Sequence, residues 1–172
     1  YDDAEVHAKI NAAQKFNKPV DGHAPLLTGE ELKKYANAGI STDHECTNLE
    51  EAKAKINLGM KILIREGSAA CDFEALWPLI DLYPDHVMLC SDDLHPDHLV
   101  DGHINRLISR ALAKGCSLFN TLKAAVINPI NHYKLPLGSL NVGDSADFII
   151  VSDLKKMCIE ATYISGNCVY EN

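Results

Sequence analysis

Four short segments collect the residue types that hold metal ions or move protons: Gly22-His23-Ala24-Pro25, Asp43-His44-Glu45, Arg65-Glu66-Gly67-Ser68 and Ser91-Asp92-Asp93. Imidazole nitrogens and carboxylate oxygens are good donors to Zn, Mn or Fe, and an ion so held lowers the pKa of a bound water to about 7. A lone histidine after a strand bonds to its own backbone just as readily. His23, His44 and Asp92, one in each of three similar segments, make a stronger pattern. A second group, His95, His98 and His103, resembles another metal cluster; His95 and His98 read as solvated positions, and His103, after Asp101-Gly102, as a contact to the pocket.

The elements that must position these residues follow one order. Acids first, then Val6, Ile10 and Ala13 on one face, then Lys15 and Lys18, predict an amphipathic helix over residues 2–18 suited to its own dipole. Short strands are predicted over 18–23, 40–44 and 60–65 and a buried-type strand over 86–92, each running straight into one of the four polar segments. Between them, Thr28-Gly29-Glu30-Glu31 fits a capping box for a helix ending near Gly39. Thr47 or Asn48, with Glu50 and Glu51, opens a helix running to about Gly59. Helices are also predicted over 72–82, 96–114 and 117–127. Repeated strand, loop and helix argue for a parallel sheet with crossovers, and such folds place their active sites at the carboxyl ends of the strands. From Gly138 onward short strands alternate with turn residues, so the tail reads as a small β-structured segment.

Composition narrows the function classes. With 172 residues, 47% hydrophobic and 23% charged, the chain is ordinary globular protein, yet short of the roughly 250 residues of a complete eight-stranded α/β barrel. The formal charge of −8, from 24 acidic against 16 basic residues, disfavours a nucleic-acid partner. No apolar stretch approaches the roughly 18 residues of a membrane span. The six cysteines form no CxxC pair and are expected as free, mostly buried thiols in a reducing compartment, so the chain reads as a soluble cytoplasmic protein.

Ordered along the chain, Asp21-Gly-His-Ala-Pro25, Ala38-Gly-Ile-Ser-Thr-Asp-His-Glu-Cys46, Ile64-Arg-Glu-Gly-Ser-Ala69, Cys90-Ser-Asp-Asp-Leu-His-Pro96 and Asp101-Gly-His103 resemble the adenine deaminases of the amidohydrolase superfamily. The likeness continues through Ala125-Val-Ile-Asn-Pro129 and residues 138–147. It implies the C-terminal half of a TIM-type (β/α)8 barrel over residues 1–135, holding barrel strands five to eight, and a C-terminal β-segment over 136–172. It implies a hydrolase converting adenine and water to hypoxanthine and ammonia through a metal-bound hydroxide, with a binuclear Mn, Fe or Zn centre, in purine salvage and adenine catabolism. His23 and His44 are then ligands of one metal. Asp92 is the ligand of the other and the proton shuttle, favoured over Asp93 by the Ser-Asp order at the strand end. Arg65, Glu66, Ser68 and His103 are the substrate-binding set; surface ion pairs for Arg65 and Glu66 and a helix cap for Ser68 compete with that role. Asp43 and Glu45 flank a ligand, as supports for it or as solvated acids.

The departures carry an expectation of their own. The superfamily's His-x-His pair after the first strand and the bridging carboxylate after the fourth have no counterpart here. The chain is therefore expected to be a fragment, inactive alone, that self-associates through unpaired sheet edges as a homo-oligomer. Two rival readings stand beside it: another cyclic amide or amidine hydrolase, dihydroorotase-like or imidazolone hydrolase-like, and a non-catalytic α/β binding module. The module needs a phosphate-binding glycine loop, for which Gly22-His-Ala-Pro25 is a poor fit because Pro25 has no N–H to donate.

Overall fold

Alternation of buried positions sets the middle strand of the principal sheet. Along Lys61–Arg65 (β2), Ile62 and Ile64 are fully buried and their neighbours half-buried, the period of two that a strand imposes. In Val87–Cys90 (β3) three successive residues are buried, so both faces are covered, as parallel sheets require. The structure, a computed structural model, describes residues 3–172. Thr42–Asp43 (β1) pairs parallel with β2, and β2 with β3, in the order β1-β2-β3, with Thr42 opposite Lys61 and Ile62 opposite Val87. A parallel bridge between Val20 and Ile40 adds one more segment beside β1. All four predicted strands thus lie side by side in chain order, the first reduced to that single bridge.

The helices follow their caps with several corrections. Ala4–Lys15 (α1) starts behind Asp3, whose carboxylate accepts from the Glu5 amide, and Val6, Ile10 and Ala13 are its least exposed positions; the predicted start at Asp2 lies outside the described residues. Gly29–Asn37 (α2) begins where expected, but the Thr28 side chain makes no capping bond, so the predicted box is not formed there. Leu49–Ile56 (α3) has a reciprocal cap: Asn48 Oδ1 accepts from the Glu51 amide, and Glu51 Oε2 accepts from the Thr47 amide. The helix expected over 72–82 is two, Phe73–Leu76 (α4) and Leu79–Leu82 (α5), with Pro78, which has no N–H for the ladder, between them. The helix expected over 96–114 breaks into Pro96–Val100 (α6) and Ile104–Ala113 (α7) at Gly102, whose φ of +133° lies far from helical values. Leu118–Leu122 (α8) continues through a π-helical turn, Lys123–Ile127, into Asn128–Tyr133 (α9), beyond the predicted end.

The core forms where the sheet meets these helices: Ile62, Ile64, Val87 and Leu89 pack with Phe73, Leu76, Ile80, Leu107, Ile108 and Ala111. Each buried Val, Leu, Ile or Phe of this set contributes about 1.5–3 kcal/mol by leaving water. The tail forms an antiparallel meander of Phe148–Val151 (β4), Ile159–Ile164 (β5) and Asn167–Glu171 (β6). Ser165 and Gly166, both at positive φ, make the two-residue turn between β5 and β6. Met157 anchors this meander in the main core, and Ser109 Oγ donates to the Lys155 carbonyl at 2.8 Å. All six cysteines are free, but the expectation that most are buried fails: Cys71, Cys158 and Cys168 are exposed. Cys71 lies on the loop after β2, bridged to Glu66, and Cys158 and Cys168 lie in the C-terminal meander. Among the described residues no helix is long and apolar enough to cross a membrane.

Candidate functional site

The two histidines are set by loops that leave adjacent strand segments. A Cβ on Gly22 would lie 2.1 Å from Tyr35 Oη, so the glycine lets the tyrosine approach, and Tyr35 Oη donates to the His23 carbonyl at 3.2 Å. One residue on, the Ala24 amide donates to Asp43 Oδ1 at 2.9 Å, tying the His23 loop to the residue before His44. The two imidazoles meet edge to face with ring centroids 4.5 Å apart. Glu45 Oε1 lies 3.6 Å from His23 Nδ1, and one donor atom from each of His23, His44 and Glu45 falls within 4.8 Å of the others.

Asp92 approaches from the loop after β3. Its φ is +53°, and the Asp93 amide donates to its Oδ1 at 2.8 Å, a local bond that suits a short polar side chain to this left-handed position. Its Oδ2 accepts from Arg65 Nη1 at 3.0 Å, while Arg65 Nε donates to Asp72 Oδ2 at 2.7 Å. Arg65 also lies 3.8 Å from Glu45 and is largely buried, so the competing reading of a surface ion pair does not describe it. Partial burial works to raise the Asp92 pKa, but the Arg65 and Asp93 hydrogen bonds and the nearby His44 outweigh it and hold the carboxyl below the ordinary aspartate value. His23, His44, Glu45, Arg65, Asp92 and Asp93 line one cleft of about 290 Å³. Two imidazoles with carboxylates facing them are a donor set suited to a divalent transition metal.

A second cleft of about 310 Å³ adjoins the first at Gly67, which lines both. Ser68 Oγ accepts from the His95 amide at 2.8 Å and lies 2.8 Å from His98 Nδ1. His103 Nε2 lies 3.1 Å from Ser91 Oγ. Of the predicted substrate set, Ser68 and His103 face this cleft together, and Ser68 caps no helix, because Asp72 is the residue that precedes α4. Glu66 lines it too, with both oxygens engaged, one by Arg110 and one by the Phe73 amide at 3.2 Å. His98, expected to be only solvated, is part of the lining, because the break at Gly102 folds α6 back toward Ser68.

Beneath the histidines lies a buried polar group that the sequence reading did not assemble. Lys55 is fully buried, and its Nζ donates to Ala24 O at 2.6 Å, Asp43 Oδ2 at 2.8 Å and Glu51 Oε1 at 2.7 Å. Asp43 is thus a buried support and not a solvated acid. Burial works against its ionised form, and Lys55 with the Ala24 amide outweighs that and lowers its pKa. A signal was available: Lys55 stands three residues after Ala52 and directly before Ile56, on the core-facing side of α3.

The amidohydrolase family profile matches residues 1–169. An adenine deaminase of Methanosarcina mazei is 59% identical over 169 residues, which cover 98% of this chain and 30% of that protein. One of Parabacteroides distasonis is 54% identical, with 98% and 31% covered. The chain therefore spans about a third of the length of the curated relatives it matches. Among solved structures, a β-aspartyl dipeptidase of Fervidobacterium islandicum superposes with a TM-score of 0.72 at 20% identity, covering 97% of this chain and 50% of that one. An N-acetylglucosamine-6-phosphate deacetylase of Thermotoga maritima gives 0.70 at 14% identity, covering 98% and 57%. At such identities these two speak to the fold alone.

Proposed function

Because the chain belongs to the amidohydrolase family, we propose that it is part of an adenine deaminase, contributing His23, His44 and Asp92 to a divalent metal centre. The convergence of these three side chains on one cleft carries the reading, and the identity to named adenine deaminases supplies the substrate. Residues 1–135 correspond to four β/α units of the catalytic barrel and residues 136–172 to the β-segment after it. Mn, Fe or Zn fits the donor set, in a binuclear centre completed by ligands that this chain does not carry, and Glu45 stands close enough to join His23 and His44. When bound, the metal supplies Lewis acidity that makes water a nucleophile near neutral pH.

The chain's own groups then divide the work. Asp92 takes the proton of the attacking water and passes it toward the departing amine, the double role of a positioned carboxylate. Arg65 holds Asp92 in place through one N–H while Asp72 fixes the guanidinium from behind. The purine occupies the adjoining cleft, where Ser68, His98 and His103 offer hydrogen bonds to its edge and Glu66 braces the loop through Arg110. The setting is cytoplasmic purine salvage, and the working form is a homo-oligomer.

Ammonia release from adenine by the full gene product that carries this chain, supplied in turn with Mn, Fe or Zn, tests the reading. Turnover that a chelator abolishes is expected, with none from the 172 residues alone. A gene product inert toward adenine but active on another cyclic amide or amidine overturns the substrate, and turnover by the 172 residues alone overturns the shared metal centre.

A further inference from the structure

Asp43, Cys46 and Glu51 form a buried trio whose donor atoms lie within 4.8 Å of one another, a spacing that would suit a metal ion. The cation already there is the Lys55 ammonium, 2.8 Å from Asp43, 2.7 Å from Glu51 and 3.5 Å from Cys46 Sγ. Its three N–H donors are used by Asp43, Glu51 and the Ala24 carbonyl, so the lysine is saturated.

Stability alone is a weak reason for such a group, since well-packed apolar residues often serve a core as well as a buried ion pair does. Its contacts have a narrower distribution. The Ala24 carbonyl and amide are both held, by Lys55 and by Asp43; the Leu26 amide donates to Glu51 Oε1 at 2.7 Å and the Thr47 amide to Glu51 Oε2 at 3.3 Å. Every backbone group bound by Lys55, Asp43 and Glu51 across to another segment belongs to the loop bearing His23, and Thr47 belongs to the loop bearing His44. We infer that Lys55 is a positioning residue for the metal centre, a resident ammonium ion that, through Asp43 and Glu51, fixes the two histidine loops at the separation their shared metal needs. The inference rests on the reading of His23 and His44 as ligands of one metal.

Binding of Co²⁺ to the full gene product, followed by equilibrium dialysis and by its visible absorption spectrum, tests this without recourse to turnover. Supporting groups of this kind typically govern metal affinity about 10–100-fold. Lys55→Met and the nearly isosteric Asp43→Asn are each expected to weaken Co²⁺ binding within that range and to alter the spectrum while circular dichroism reports a folded protein. His23→Ala and His44→Ala identify the site itself: if both bind Co²⁺ as the parent does, the ligand reading fails. If these two lose the ion while folded Asp43→Asn and Lys55→Met keep parental affinity and spectrum, the ligand reading stands and the positioning role is overturned. An Asp43→Asn protein that does not fold also overturns it, by making the network a requirement of the fold.

Discussion

Asp92 and Asp93 are adjacent carboxylates on one strand-end loop, and the backbone separates their roles. At φ +53° a residue without a local hydrogen bond pays about 1–2 kcal/mol, and Asp92 offsets this by accepting the Asp93 amide while its second oxygen turns to Arg65 and the histidine cleft. Asp93 enters the structure chiefly through its carbonyl, which accepts from the Ser68 amide at 2.9 Å. Asp92→Asn keeps the local bond and the turn but cannot carry the proton. In the full gene product it is expected to lower kcat for adenine deamination by about 10²–10⁴, with KM changed far less, whereas Asp93→Asn stays within a few-fold of the parent. Steady-state kinetics of the two variants decide it, and a loss that follows Asp93 would exchange the roles. The Ser91-Asp92-Asp93 order suggested this choice; the geometry that supports it, a left-handed aspartate braced by an arginine from the neighbouring strand, involves a residue 27 positions away. That distance hid the pairing from any local reading.

Elements were legible where a period or a cap is local and obscured where a partner is remote. Alternation in β2, the apolar run of β3 and the Asn48 cap stand in the sequence itself. The halving of the predicted helices at Pro78 and Gly102 was also written there, yet the apolar pattern on either side masked it. The second cleft could not be read in advance, because it depends on α6 turning back so that His98 meets Ser68. Gly67 is the hinge point of that arrangement: an added Cβ would sit 2.8 Å from both the Ser91 and the Asp93 carbonyl oxygens, backbone atoms of the loop bearing Asp92. Neither carbonyl can rotate away as a side chain would, so the two loops must part. Gly67→Ala is therefore expected to cost about 1–3 kcal/mol of stability, as overpacking does, in urea unfolding of the full gene product. It should also raise KM for adenine, because the clefts it separates meet at this residue. A variant of parental stability and KM would show that the loops yield without consequence.

At the scale of the molecule, the sheet of four parallel segments ends on two strands with one partner each among the described residues: the Val20 segment, bridged to Ile40, and β3, paired with β2. Helices cover part of β3, and Asn128 Nδ2 satisfies the Val87 carbonyl at 2.7 Å, so that edge is partly blocked. The Val20 segment is tied on its inner side by Ser41, which donates its amide and its hydroxyl to the Val20 carbonyl, and one residue on by Tyr133 Oη, which donates to the Asp21 carboxylate at 3.0 Å. Unpaired edges of this kind template association with further strands, and the relatives extend well beyond the matched segment, which supplies about 30% of the Methanosarcina mazei protein. The 172-residue chain on its own is thus expected to associate with itself, and to exchange that contact for the remaining polypeptide of its gene product when the two are expressed together. Multi-angle light scattering over a dilution series measures the first, and co-purification with regained Co²⁺ binding the second. A monomer at every concentration that ignores the co-expressed segment would mean that the edges are already satisfied within the chain, and that the sheet with its covering helices is a self-sufficient unit.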